Sequence, residues 1–428
     1  MSKDFDVCVI GSGAGAGPII YELSKAGYSV VVLEKGKYIT EKDFFKDELA
    51  TSLRSIYTPD LHEEQHVVEL PRGENGWRSK PTLNSGWDFW NGSLVGGSSN
   101  FMSGFFHRLK PVDFHQLSEF GPIEGANIVD WPITYDDLEP YYDKVEKVVG
   151  VSGRVVEHPH QEPRSSKDFP YPPTQEHPIA GYIDKACESL GYHAIPMPRA
   201  VLPRADKGRG GCSYSGYCGS YGCSTGAKGS ARAALIDKAV ATGYCEIRAE
   251  SMVSKIETNQ SGKITGVSYF NNQGTSQFVD AKIYIVACQA IETSRLLLNS
   301  TGPKHKSGLG NNSGQLGKNL LFAGGGAGSG RLTYKSFNEK DSQDLHQFGT
   351  FINRSIQDWY VIDDKDYGER QKGGTIDFVH LHPNPVSRAS RQIRGKHGLL
   401  WGKPLKDKIH EHFTGGKYIK IEAFCDWT

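Results

Sequence analysis

The sequence predicts an α/β protein organised on a parallel sheet, with a second part built from antiparallel strands. Three observations carry this. Residues 5–34 read as strand, glycine turn, helix, strand and acid, in that order. Residues 281–287 (AKIYIVA) form an apolar run of the kind that fills a parallel sheet covered on both faces. Residues 417–424 (KYIKIEAF) alternate with the period of a half-buried strand.

The first of these is the most informative. Val7–Ile10 is apolar throughout and reads as a buried strand. The turn after it is Gly11-x-Gly13-x-x-Ala16, with Ala14 and Gly15 inside it. Pro18 to Ala26 reads as a helix, and Gly27 is its stop signal. Tyr28 to Leu33 is the second strand; Glu34 stands at its end and Lys35 follows. In such a unit Gly11 permits the tight turn and Gly13 lets a diphosphate approach the backbone. Ala16 is small enough for helix and strand to sit close. The helix start, with a partial charge of about +0.5, faces the phosphates. Glu34, 21 residues after Gly13, can accept from a ribose 2′-hydroxyl and repels a 2′-phosphate. A glycine-rich loop in an ordinary α/β protein is the plainer reading. The order and spacing of all five parts favour dinucleotide binding.

With 428 residues the chain is long enough for two or three domains. Lys+Arg and Asp+Glu both number 49, so no overall basic field points to nucleic acid or an anionic membrane. No apolar run of about 18 residues is present, so no transmembrane helix and no direct membrane insertion are expected. The dinucleotide strand begins at Phe5, which leaves no room for a signal peptide ahead of it. The expectation is a cytoplasmic protein, or a periplasmic one if a signal-bearing partner carries it out.

Further along, residues 36–75 are polar, with a short helix expected from Glu41 to Leu53. Trp77, Trp87 and Trp90 fall within fourteen residues, ahead of the step Gly96-Gly97-Ser98-Ser99-Asn100. This reads as a packed loop against a flat ligand, or as an aromatic-rich core loop. Residues 111–204 read as a partly helical insertion, with helices at 135–149 and 177–190 around a proline-rich stretch. Cys212, Cys218 and Cys223 have the spacing C-x5-C-x4-C among glycines and small residues. Three thiolates suit a three-iron iron–sulfur centre. A structural or disulfide-bonded loop and a zinc site stay open. Residues 245–280 read as a strand and a meander, 281–287 as a buried strand and 292–299 as a helix. Strands are expected at 359–362, 375–382 and 417–424.

GSGAGAGP with Glu34, then VGGSSNFM (95–102), then IVACQAIETSRLLLNS (285–300) together resemble the flavin-binding segments of the glucose–methanol–choline oxidoreductase family. WPITYDDLEPYY (131–142) and LGNNSGQLGKN (309–319) are similar to its gluconate 2-dehydrogenase-type flavoprotein subunits. The resemblance implies a Rossmann-like FAD-binding domain, a parallel sheet with a β-meander, over residues 1–110 and 205–321. It implies a substrate domain, an antiparallel sheet flanked by helices, over 111–204 and 322–428. The cofactor is then FAD rather than NAD. Its expected contacts are Gly11, Gly13, Ala14, Gly15, Ala16, Glu34, Lys35, Gly96, Gly97, Ser98, Ser99, Asn100, Val253, Ala287 and Cys288. Asn100 stands where some relatives attach FAD through a His, so the flavin is expected to be non-covalent; His107 reads as structural.

The resemblance also implies a [3Fe-4S] cluster on Cys212, Cys218 and Cys223, although Ser215 stands where related segments often have Cys. A catalytic His belongs to a further C-terminal segment of the family pattern, so the chain is expected to be truncated. Within it only His380 and His382 are candidates for the base, and ordinary strand histidines are the plainer reading. The implied activity is dehydrogenation of a CH–OH group of a sugar, polyol or sugar acid. Electrons would pass to a cytochrome c or quinone partner, with a small subunit alongside. A flavin-binding remnant without turnover is the alternative.

Overall fold

A computed structural model of the chain describes residues 4–49, 67–71, 76–81, 92–318, 320, 323–347, 349–367, 370–381 and 384–425. The chain divides into two compact units. The first holds residues 1–102, 220–224 and 229–320; the second holds 103–219, 225–228 and 321–428. Residues 103–110, 205–219 and 225–228, which the family resemblance assigns to the nucleotide domain, fall in the second unit.

The first unit is built on a four-stranded parallel sheet. Strand β1 (Phe5–Ile10) is flanked by β2 (Val30–Leu33), with Val7 opposite Val30. Beyond β2 lies β3 (Cys245–Arg248). Val7–Ile10 and all of β2 are buried, as strands covered on both faces must be. Helix α1 (Ala16–Lys25) returns the chain from β1 to β2. It starts two residues earlier than its proline suggests, because Gly15 already has helical φ and ψ. Ala16 and Ile20 are fully buried. A Cβ at Gly17 would lie 3.0 Å from that of Ala231, so α1 packs closely on the segment 231–236.

A three-stranded antiparallel meander follows: β4 (Met252–Thr258), β5 (Ile264–Phe270) and β6 (Ser276–Val279). Val253, Ile256, Val267 and Tyr269 form one apolar core with Cys8, Ile10, Val31 and Leu33 of the parallel sheet. Burying each such side chain contributes about 1.5–3 kcal/mol before conformational entropy is subtracted. Strand β7 (Ala281–Val286) then joins the other side of β1. It is not the fully buried strand that AKIYIVA suggests. It ends the sheet among the described residues, and Ile283 is 57% exposed. Helix α2 (Ala290–Asn299) follows, capped by the Gln289 side chain, which accepts from the Ile291 and Glu292 N–H groups. Of the segment 41–53, Glu41–Asp43 form a turn, residues 48–49 are helical, and residues past 49 lie outside the described residues.

The second unit holds a five-stranded sheet. Its order is β8 (Gly324–Thr333), β11 (Gly416–Cys425), β10 (Gly374–His380), β9 (Arg354–Ile356) and the short strand Ala194–Pro196. Every pairing is antiparallel. The helix Ile179–Leu190 contributes Ile179 and Ile183 to an apolar cluster with Ile356, Ile376, Phe378 and Ile419. The helix Tyr135–Val149 opens on a Thr134–Asp137 capping box and stops at Gly150 in the left-handed region. Of 359–362, only Val361–Ile362 is extended, paired with Gln371–Lys372. Helix α3 (Gly402–Thr414) precedes β11.

Candidate functional site

Three strand ends meet at Gly11. Its N–H donates to the Leu33 carbonyl at 2.9 Å, and the Ala287 N–H donates to the Ile10 carbonyl at 2.8 Å. The φ of Gly11 is +90°, and a Cβ there would sit 2.6 Å from the Ala287 oxygen and 2.8 Å from Cys288 Cα. No side chain fits. Gly13 and Gly15 have open space where a Cβ would be, and Ala14 and Gly15 are exposed. The N–H groups of Gly13, Ala14 and Gly15 have no hydrogen-bond partner among the described residues. The turn therefore presents bare backbone donors at the positive end of α1, the arrangement that suits a diphosphate.

The 96–101 loop is built onto the same turn. A Cβ on Gly97 would lie 3.1 Å from Gly13 Cα. Gly96 (φ +90°) approaches Arg232 so closely that a Cβ would come within 2.8 Å of that residue's own Cβ. The loop's side chains hold its shape. Asn100, 2% exposed, donates from Nδ2 to the carbonyls of Val95 (3.0 Å) and Gly97 (2.9 Å). Ser99 Oγ donates to the Gly96 carbonyl (2.5 Å) and accepts from the Ala231 N–H (3.0 Å). Ser98 Oγ accepts from the Gly92 N–H at 2.9 Å. Gly36 admits the backbone of Ser93 and Leu94, and the Val95 N–H donates to the Lys37 carbonyl at 2.9 Å.

A residue that the motif leaves unspecified ties the two parts together. Ser12 is fully buried. Its Oγ donates to Glu34 Oε2 (2.6 Å) and accepts from the Gly96 N–H (3.1 Å). Its N–H also donates to Glu34 Oε2 (3.1 Å), and the Gly36 N–H donates to Glu34 Oε1 (2.9 Å). A carboxylate has about four acceptor positions, so one remains on Glu34 for a ribose hydroxyl. Burial pushes the Glu34 pKa up, while the Ser12 and Gly36 bonds oppose that. Lys35 is half-buried beside it. Arg232, 2% exposed and paired with Asp237 at 2.7 Å and with Glu41, supports Gly96 from below. Val253 is a core residue of β4, two positions after Ser251, whose N–H donates to the Glu34 carbonyl at 2.8 Å. Cys288 is half-buried, its thiol pKa raised by burial.

In the second unit, His380 does not lie on an open wall. It shares a strand face with Ile376 and Phe378, the face packed on the Ile179–Leu190 helix. Its ring meets that of His177 edge-on at 4.8 Å. Burial, then Lys417 and His177, push its pKa down to about 3. Neither ring nitrogen makes a hydrogen bond among the described residues. His382 lies outside the described residues. The opposite face is the polar one. There Ser355 stands beside Asp377, and Asp377 beside Glu422. Asp377 is 1% exposed; it accepts from Ser355 Oγ at 2.5 Å and pairs with His107 Nε2 at 3.3 Å. His107, with His158, Gln161 and Gln357, lines a small cleft of about 40 Å³.

The structure lends no support to the three-thiolate reading. Among the described residues no group of three or more His, Cys, Asp or Glu is placed to hold a metal ion. No disulfide joins these cysteines. Gly222, next to Cys223, is packed on Phe44, and its carbonyl accepts from Lys46 Nζ at 2.9 Å. Cys212 Sγ accepts from the Tyr214 N–H at 3.4 Å, and the Cys218 carbonyl from Lys228 Nζ at 3.2 Å.

A parallel sheet, a β-meander and a glycine loop on the first turn define a dinucleotide-binding fold. Residues 79–322 match the GMC oxidoreductase family, and the chain belongs to it. Members of this family bind FAD. The chain is 32% identical over 319 residues to 6′′′-hydroxyparomomycin C oxidase of Streptomyces lividus, covering 74% of this chain and 54% of that protein. It is 26% identical over 353 residues to the gluconate 2-dehydrogenase flavoprotein of Pantoea cypripedii, covering 75% and 56%. The gluconate branch is thus among its relatives, at lower identity than an oxidase. In structure it is similar to formate oxidase of Aspergillus oryzae, with TM-score 0.59, 16% identity, 98% of this chain and 72% of that one covered. The chain spans about half the length of the curated relatives it matches.

Proposed function

We propose that this chain binds FAD non-covalently and serves in oxidation of a CH–OH group of a sugar, polyol or sugar acid. The observation that carries this is the Ser12–Glu34–Gly96 link, which holds the Gly-Gly loop on the dinucleotide turn. The N–H groups of Gly13, Ala14 and Gly15 would hold the diphosphate. Glu34 would take a ribose hydroxyl on its remaining acceptor position. Gly97 and the exposed Ser98 would flank the cofactor on the loop side. When bound, FAD supplies a hydride acceptor at N5. The chain's part is to fix the cofactor and keep the loop rigid. Electrons would go on to a cytochrome or quinone acceptor subunit.

The test is reconstitution of the full chain with FAD, then anaerobic addition of gluconate, sorbitol or glucose. A yellow protein whose visible absorbance bleaches with one of these supports the reading. A colourless protein that ignores FAD overturns it. A yellow protein that none of them bleaches leaves the second reading, an FAD-binding chain without turnover.

A further inference from the structure

The chain's zero net charge conceals a basic surface at one place. Residues 388–408 carry seven Arg and Lys against a single Asp, a net charge of +6. They form the end of the helix Pro385–Ser390, a turn at Arg391–Ile393, a hairpin of Arg394–Gly395 with Gly398–Leu399, and the start of α3. Lys403 pairs with Asp407 at 2.7 Å, Lys408 Nζ donates to the Arg394 carbonyl at 2.6 Å, and Arg388 lies over Phe413. Arg391, Arg394, Lys396 and Lys406 are exposed and have no carboxylate partner among the described residues.

The same hairpin exposes large apolar groups. Trp401 is 84% exposed and Leu399 72%. The backbone explains why both face outward. Arg394 stands directly opposite Leu399, and Trp401 is extended (φ −150°, ψ 168°), so alternation puts Leu399 and Trp401 on one face with Arg394. Leu400 turns the other way and packs over Gly395. Val386 (54%) and Ile393 (41%) extend the exposed apolar surface.

We infer that the 386–406 surface is a peripheral docking site for an anionic phospholipid bilayer, with Leu399 and Trp401 entering the headgroup boundary and Arg391, Arg394, Lys396 and Lys406 facing the lipid phosphates. The pairing of an aromatic and an aliphatic tip with unpaired cations is what an anionic interface selects. An acidic protein partner could use the same cations and an aromatic anchor, and the polyglutamate arm of the experiment distinguishes it. This is attachment to a surface, not insertion: among the described residues no helix is long and apolar enough to cross a membrane.

The experiment is co-sedimentation of the full chain with phosphatidylcholine vesicles, with and without phosphatidylglycerol. The wild-type protein is expected to pellet with the anionic vesicles and to be released as salt rises. Each cation removed from the set of four weakens partitioning by about fivefold, so Arg394→Glu/Lys396→Glu is expected to lose anionic binding. Leu399→Ser/Trp401→Ser is expected to lose it too, with an unchanged circular dichroism spectrum because both side chains are exposed. Absence of binding to anionic vesicles overturns the inference. So does equal binding to neutral vesicles, or binding that the Leu399/Trp401 variant keeps. Retention on immobilised polyglutamate without vesicle binding also overturns it, in favour of an acidic protein. The salt dependence of the wild-type chain needs no variant, so the inference stays testable if a variant misfolds.

Discussion

Ser12 Oγ satisfies two buried groups at once, Glu34 on one side and the Gly96 N–H on the other. Ser12→Ala leaves both short of a partner and is expected to cost about 1–3 kcal/mol. Because Glu34 is already raised by burial, losing the hydroxyl raises it further and weakens the site in the same step. FAD affinity and the urea midpoint should therefore fall together, which equilibrium titrations would show; Ser12→Thr, which keeps the hydroxyl, should fall less. The motif makes Gly11, Gly13 and Glu34 legible because turn and strand geometry dictate their spacing. It leaves Ser12 unspecified, and its partner Gly96 lies 84 positions on, so no local pattern announces it.

His380 gives a second prediction of the same size scale. Its pKa is pushed down to about 3 and that of His177 to about 4, chiefly by burial. In the unfolded chain both titrate near 6.5. Below about 6.5 the unfolded state therefore binds protons that the folded state refuses, and stability is lost as pH falls towards 4. Above that pH both states are neutral and nothing is lost. The slope is up to about 1.4 kcal/mol per pH unit for each His. His380→Phe should flatten the fall in urea midpoint between pH 6.5 and 4. It should cost little at pH 7, since the ring nitrogens make no hydrogen bond among the described residues and Ile376 and Phe378 share its strand face. A steep fall that His380→Phe leaves unchanged would contradict this.

At the scale of elements, periodicity reads the parallel strands and the helix at 16–25, and it reads β11 almost to the residue. It misreads β7, since an apolar run does not tell an edge strand from a central one. It gives no sign of β8, whose sequence GGGAGSGRLT has neither alternation nor β propensity. That strand exists because β11 offers it a ten-residue ladder from Gly324↔Cys425 to Thr333↔Gly416. Its glycines then differ by position. A Cβ on Gly325 would lie 2.1 Å from the Ala423 oxygen, whereas Gly328 has open space. Gly328→Thr should stabilise the second unit by about 0.5–1 kcal/mol, through lower unfolded-state entropy and better strand propensity. Gly325→Thr should destabilise it. Thermal melts of the two variants should move in opposite directions; parallel shifts would mean that the ladder is not as described.

For the molecule as a whole, charge counting averages away what matters. A total of zero sits over a +6 segment, so the docking surface is visible only once exposure is known for each residue. The proposed nucleotide cradle behaves differently, because the residues named for it lie together in the first unit. Residues 11–15, 34–36 and 96–100 all belong to it. A ligand that binds only the folded state stabilises it by about 2.7 kcal/mol at a hundred times its Kd. FAD should then slow hydrogen exchange at the backbone of Gly13, Gly15, Gly36 and Gly97, and raise the melting temperature. NADP should do neither, because its 2′-phosphate would face the Glu34 carboxylate. Glu34→Ala should abolish the FAD-dependent rise while leaving the Gly325 and Gly328 effects in place. Protection that appears with NADP as readily as with FAD would mean that Glu34 does not select the cofactor.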